Sequence, residues 1–144
     1  MIKRILFVGR ATAENCGPWD DFAMISIGEP GASEGSPVIA DGWHDTLQLI
    51  FHDVTPSTPD PDEAYTLMTL DDAKKIVTFV RKVAPEANGI IVHCRAGISR
   101  SAAIAKWISA EYKLQFNQSY RKFNDHVFRQ LVIAANEIEA KNDS

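Results

Sequence analysis

The sequence predicts an α/β domain whose mostly parallel sheet, of four to five strands, is covered by helices. Three observations carry this. Residues 2–8 and 89–92 are short, uniformly apolar runs that read as buried strands. An amphipathic pattern starts after Thr69 and stops at Pro85, and residues 102–113 are apolar almost all round, as a buried helix is. Strands and helices alternating in this way favour a parallel sheet between helical layers.

In order, the first strand covers residues 2–8 and ends at Gly9, and a second covers 23–27 before the turn Glu29-Pro30-Gly31. Residues 31–42, rich in Gly, Ser and Pro, read as a surface loop. A third strand at 47–51 runs into a segment, 53–62, in which Pro56, Pro59 and Pro61 exclude regular structure. Thr69 is the expected N-cap of the next helix, and Asp71 and Asp72 suit its positive end. Ala73, Ile76, Val77, Val80 and Val83 recur at helical spacing, with Arg81 and Lys82 in the last turn. The fourth strand, 89–92, is expected to be central. Asn117 is read as the cap of a short helix through Phe123, with Tyr120, Arg121 and Lys122 on its exposed side. A last helix spans about 125–139 with one apolar face, and 137–143 is a solvated end.

The chain has 144 residues, 45% hydrophobic and 24% charged, with a net charge of -4, the balance of one water-exposed globular domain. That charge argues against a nucleic-acid partner, which is bound through clustered Lys and Arg. The apolar run at residues 5–8 is too short for a signal-peptide core or a membrane span. Cys16 and Cys94 sit in unlike surroundings, so no disulfide framework and a cytoplasmic setting are expected. His44, His52 and His126 lack metal-ligand spacing, and neither a metal nor another cofactor is implied.

The informative segment is Val92-His93-Cys94-Arg95-Ala96-Gly97-Ile98-Ser99-Arg100-Ser101. It lies between a strand and a buried helix, at the sheet edge where α/β proteins bind ligands. Loop amides and the helix N-terminus together make an anion site, and Gly97 permits a turn that a side chain would obstruct. Arg100 offers a planar fork for phosphate oxygens, and Cys94 beside it is expected to be largely thiolate. A Cys six residues before an Arg is by itself commonly a buried structural cysteine. The strand, His93, Gly97, Ser99, Ser101 and the apolar helix together favour a phosphate loop with a nucleophile.

His-Cys, five residues, then Arg-Ser resembles the signature of the cysteine-based protein tyrosine phosphatases. Residues 96–101, Ala-Gly-Ile-Ser-Arg-Ser, look like the compact dual-specificity branch, and the sequence is most similar to small bacterial tyrosine-phosphatase-like proteins. The likeness extends to Phe51-His52-Asp53 and Glu29-Pro30-Gly31, so residues 1–144 are expected to form one phosphatase domain. The resemblance implies that Cys94 forms a phosphocysteine while Arg100 and the amides of Arg95, Ala96, Gly97, Ile98 and Ser99 hold phosphate. It also implies that Ser101 assists thiolate release, that His93 orders the loop and that an aspartic acid protonates the leaving oxygen. Asp53 follows the third strand directly and is favoured for that acid. Asp62 and Asp60, on a loop able to close, are the alternatives.

The resemblance further implies a phosphorylated protein or small phosphomonoester as substrate, with neither nucleic acid nor membrane as partner and oligomeric state left open. Phosphatases of inositol phosphates tend to carry lysines where Ala96 and Ile98 stand. A nucleotide or phosphoinositide substrate, a non-catalytic phosphate-binding module and a rhodanese-like sulfurtransferase are the competing readings. Cys16 could protect Cys94 through a disulfide, and Trp19 and Trp43 could line a substrate groove, though loop aromatics commonly just pack.

Overall fold

The structure is a computed structural model, and it describes residues 1–142; Asp143, the last residue of the expected solvated end, lies outside them. The elements are β1 (Arg4–Gly9), α1 (Arg10–Asn15), β2 (Phe22–Gly28), β3 (Thr46–Ile50), α2 (Leu70–Val83), β4 (Gly89–Cys94), α3 (Arg100–Tyr112) and α4 (Asp125–Asn142). The four strands form one all-parallel sheet in the order β1-β4-β2-β3. Every residue of the two inner strands, β2 and β4, is buried. A central parallel strand has no wet face, which is why both read as continuous apolar runs. The edge strand β3 shows the opposite pattern, with only Leu49 buried.

Side chains alternate across the sheet and build a core on each face. Ala23, Ile25 and Ile27 of β2 join Ile90 and Val92 of β4 against α2, α3 and α4. Met24 and Ile91 point the other way, into a smaller cluster with Ala13, Phe22 and Trp43. α3 packs against α4, β1 and β4, which accounts for its nearly all-round apolar composition.

Helix starts follow local chemistry. At α2 the Thr69 hydroxyl accepts from Asp72 N at 3.0 Å while the Asp72 carboxylate accepts from Thr69 N at 3.0 Å. This reciprocal capping box satisfies two amides that the helix itself leaves free. At α4 the Asn124 side chain accepts from Val127 N at 3.1 Å. The exposed side of α4 pairs with α2 through Lys74–Glu137 and Arg81–Glu139, so the C-terminal helix runs on to Asn142 beyond the expected 139.

Two expectations fail. Asn117 caps no helix. Its side chain accepts from Ser119 N and its carbonyl from Tyr120 N, an Asx turn in which the side chain replaces a helical partner. Tyr120 is half-buried there, packed on Phe7 and Phe116 instead of facing solvent. Conversely, α1 has no sequence signal. It has six residues, buries only Ala13 and has no side-chain N-cap; the Arg10–Glu14 pair one turn apart supports it.

Among the described residues no helix is long and apolar enough to cross a membrane. Loss of the α2 capping box should be measurable: Thr69→Ala is expected to cost about 1 kcal/mol, lowering the thermal midpoint by about 3–4 °C. Thr69→Ser should stay near wild type in the same unfolding experiment.

Candidate active site

Parallel strands bring their C-terminal ends to one edge, and the register sets Cys94 beside Gly9 of β1 and His93 beside Ser26 of β2. The loop from Cys94 to Arg100 bridges β4 and α3 across that edge. Gly97 has φ +73°, and a Cβ there would lie 2.3 Å from Gly9 N and 2.4 Å from the carbonyl carbon of Val8. Any side chain would therefore push the loop off the end of β1. A hydrogen bond from Arg10 N to the Arg95 carbonyl, 3.1 Å, holds the same junction from the other side.

Cys94 is buried, with Sγ 3.1 Å from the Ser101 hydroxyl. Burial raises its pKa, but the Ser101 hydroxyl, the amides of Ser101 and Gly97 and the Arg100 charge outweigh this and leave the thiol below its ordinary value. His93 is fully buried, and burial pushes its imidazole down, leaving a neutral ring. Its Nδ1 faces the Cys94 carbonyl at 3.4 Å, which can only accept, so Nε2 accepts from the Ser26 hydroxyl at 2.6 Å. Ser26 thus anchors the base of the loop from the neighbouring strand.

Arg100 is almost wholly buried at the first turn of α3. Its Nη1 donates to the Phe51 carbonyl at 2.7 Å and its Nη2 lies 3.6 Å from Glu29. Its Nε is buried without a hydrogen-bond partner among the described residues. A buried, unpaired guanidinium donor is costly unless a ligand completes it. Beside the Cys94 sulfur and the N-terminus of α3, that donor is suited to a phosphate oxygen.

Asp53 stands just past β3. Its Oδ1 accepts from the Ser99 hydroxyl at 2.8 Å and from Asn124 Nδ2 at 2.9 Å. Asn124 also donates to the Val54 carbonyl at 3.1 Å, and its amide donates to the Ser99 carbonyl at 3.1 Å. One asparagine therefore ties the Asp53 segment, the Cys94 loop and the start of α4 together. Asp60 is engaged within its own loop, accepting from Ala64 N and Tyr65 N. Asp62 is exposed on that loop.

The segment expected to be a surface loop forms one wall of the site. Arg10 donates to the carbonyls of Glu34, Gly35 and Ser36, and Glu14 accepts from Val38 N at 2.8 Å. Arg95, on the Cys94 loop, pairs with Glu29 at 3.0 Å and lies 3.6 Å from Glu34. On the opposite side the Tyr120 hydroxyl donates to the Ile98 carbonyl, and burial together with the nearby Cys94 raises the Tyr120 pKa.

Glu29, Asn124, Tyr120 and Ser26 were not legible as site residues. Only Glu29 carried a signal, its position directly after a strand on the Cys94 edge.

The remaining candidates disperse. Cys16 packs on the Met24–Ile91 face of the sheet and Cys94 on the other, so the fold does not bring the two sulfurs together. Trp43 is buried in the smaller core, and the exposed Trp19 stacks edge-to-face on it with centroids 5.4 Å apart. His44, His52 and His126 bond separately to Glu86, Thr66 and the Met68 carbonyl. No group of three or more His, Cys, Asp or Glu among the described residues could hold a metal ion.

Iodoacetamide labelling followed by peptide mass analysis tests the electrostatics. The pH midpoint for Cys94 should lie below that of an ordinary thiol and rise in Ser101→Ala. Cys16, whose pKa burial raises, should react more slowly at neutral pH.

No curated protein matches the sequence. Among solved structures, the crystal structure of PTPMT1 in complex with PI(5)P aligns over 83% of this chain and 80% of that chain, at 21% identity and a TM-score of 0.49. The family described as "Dual specificity phosphatase, catalytic domain" matches residues 52–136, well over half of the chain and the whole stretch from Asp53 through the Cys94 loop to Asn124. With that match and an α/β fold around the His-Cys-x5-Arg-Ser loop, the chain belongs to the dual specificity phosphatases, the compact branch of the cysteine-based tyrosine phosphatase superfamily.

Proposed function

We propose that the enzyme hydrolyses phosphate monoesters on protein side chains through a phosphocysteine on Cys94, with Asp53 as general acid. The observation that carries this is the buried, unpartnered Arg100 Nε beside a thiol held below its ordinary pKa. The Cys94 thiolate attacks phosphorus, the bond to the ester oxygen breaks, and that oxygen takes a proton from Asp53. Arg100 and the amides of residues 95–100 hold the non-bridging oxygens, where developing charge is greatest. Water, deprotonated by the Asp53 carboxylate, then attacks phosphorus. The S–P bond breaks, and the Ser101 hydroxyl, 3.1 Å from Sγ, stabilises the departing thiolate.

The Ser99 and Asn124 hydrogen bonds support Asp53, since both fall on Oδ1 and Oδ2 has no hydrogen-bond partner among the described residues. Oδ2 is then the oxygen that carries the proton. The engagement of Asp60 with Ala64 and Tyr65 amides weighs against it as the acid. A protein substrate is supported by the rim. Arg95 is committed to Glu29 and Glu34, which leaves little positive charge for a second phosphate, and Ile98 offers an exposed apolar surface.

Turnover of 4-nitrophenyl phosphate, without metal and with reductant, tests the reading. Cys94→Ser should abolish it, and Asp53→Ala should lower kcat by about 10²–10⁴-fold on substrates with poor leaving groups. If Asp62→Ala carries that loss instead, the acid lies on the loop. An inactive wild type that folds and binds vanadate would make this a phosphate-recognition module. Faster turnover of phosphoinositides or nucleotides than of phosphopeptides would overturn the substrate class.

A further inference from the structure

The loop between His52 and Thr66 is joined at its mouth by one residue pair. His52 N donates to the Thr66 carbonyl at 2.8 Å, and Thr66 N donates to His52 Nδ1 at 2.8 Å. A backbone amide can only donate, so Nδ1 is the acceptor and the neutral ring carries its proton on Nε2. The imidazole thus stands in for the backbone carbonyl a neighbouring strand would offer. The Tyr65 ring packs edge-on against it, with centroids 5.4 Å apart.

Ser99 and Asn124 hold Asp53 and Val54 from outside the loop, and the remaining hydrogen bonds within it act locally. Thr55 and Thr58 close one turn, and the Asp60 carboxylate closes another onto Ala64 and Tyr65. Neither turn joins the loop's two ends. The chain enters rigidly, because Phe51 N donates to the Gly28 carbonyl and the Phe51 carbonyl accepts from Arg100. Asp53 comes two residues later, directly after the His52 clasp. Loops closed at the ends in this way hold their shape as compact units.

We propose that His52 is a positioning residue that acts through Asp53: its Nδ1 clasp on the Thr66 amide closes the Asp53 loop and aims the carboxyl at the leaving oxygen. The inference rests on Asp53 being the general acid. Without the Nδ1 bond, the loop mouth keeps only the hydrogen bond from His52 N to the Thr66 carbonyl, and the Asp53 segment relies more heavily on Ser99 and Asn124. A displacement of about 1 Å at a reacting group can cost on the order of 10²-fold. The loss concentrates where protonation matters most, on substrates whose leaving oxygen is strongly basic.

His52→Ala and His52→Asn separate positioning from folding, because Asn Oδ1 occupies nearly the place of Nδ1 and accepts the same bond. With phenyl phosphate, a poor leaving group, His52→Ala should lower kcat/KM about 10- to 100-fold. With 4-nitrophenyl phosphate it should lower kcat/KM about threefold or less. His52→Asn should recover most of the loss, and hydrogen exchange at the Thr66 amide should be fast in His52→Ala and slow in His52→Asn. Equal losses on both substrates, no recovery in His52→Asn, or a Thr66 amide equally protected in His52→Ala would each overturn the proposal. Asp53→Ala is measured alongside. If it shows the leaving-group dependence and His52→Ala does not, the clasp alone fails; if it shows none, the acid assignment fails and the clasp's role with it.

Discussion

The site depends on one close approach of backbone to backbone. Gly97 passes the end of β1 with no room for a β-carbon, 2.3 Å being all that separates its place from Gly9 N. The loop that leaves β4 at Cys94 can therefore curl tightly enough to re-enter a helix at Arg100. That curl puts Sγ against the Ser101 hydroxyl and brings the amides of Gly97 and Ser101 to the sulfur. The placing of the thiol, the loop amides and the guanidinium follows from one turn, which is why the seven residues from Cys94 to Arg100 carry so much of the proposed chemistry.

A buried arginine has to be compensated, and the partners of Arg100 define the walls around it. The Phe51 carbonyl at the end of β3 takes one nitrogen, and Glu29 at the end of β2 approaches another. Both come from the carboxyl edge of the sheet, so the elements that form the core also discharge the site. What they leave is the Nε donor, and desolvation makes that donor strong. Glu29 also pairs with Arg95, and Arg10 holds the segment that follows Glu29. The charges of the rim are thereby paired, while the Arg100 guanidinium lies buried at the floor with its Nε unpaired among the described residues.

Asn124 performs the corresponding task on the other side. It caps α4, meets the Ser99 carbonyl and holds Asp53 and Val54. Because it is buried, these bonds are shielded from water and strengthen one another. Asn124 therefore links the start of α4 to both the Asp53 carboxylate and the Cys94 loop.

The amino-acid sequence by itself determined the parallel sheet and the position of the loop that follows its central strand β4. Periodicity marks β2, β4, α2 and α3 because burial on both faces of a strand, or one face of a helix, has to be written into consecutive residues. The run from His93 to Ser101 is legible for a similar reason: cysteine, turn glycine and arginine are neighbours in the chain. Only the tertiary structure decided which distant residues serve them. Asn124 and Tyr120 look like ordinary surface residues in sequence, and Asn117 looks like a cap, because a polar side chain carries no record of which distant backbone will face it. α1 was hidden for a similar reason, since beyond its one Arg10–Glu14 pair it is tied by what these two residues hold across the site. Local order is encoded locally, whereas the partners of a buried charge are chosen by the packing that brings strand ends to a common edge.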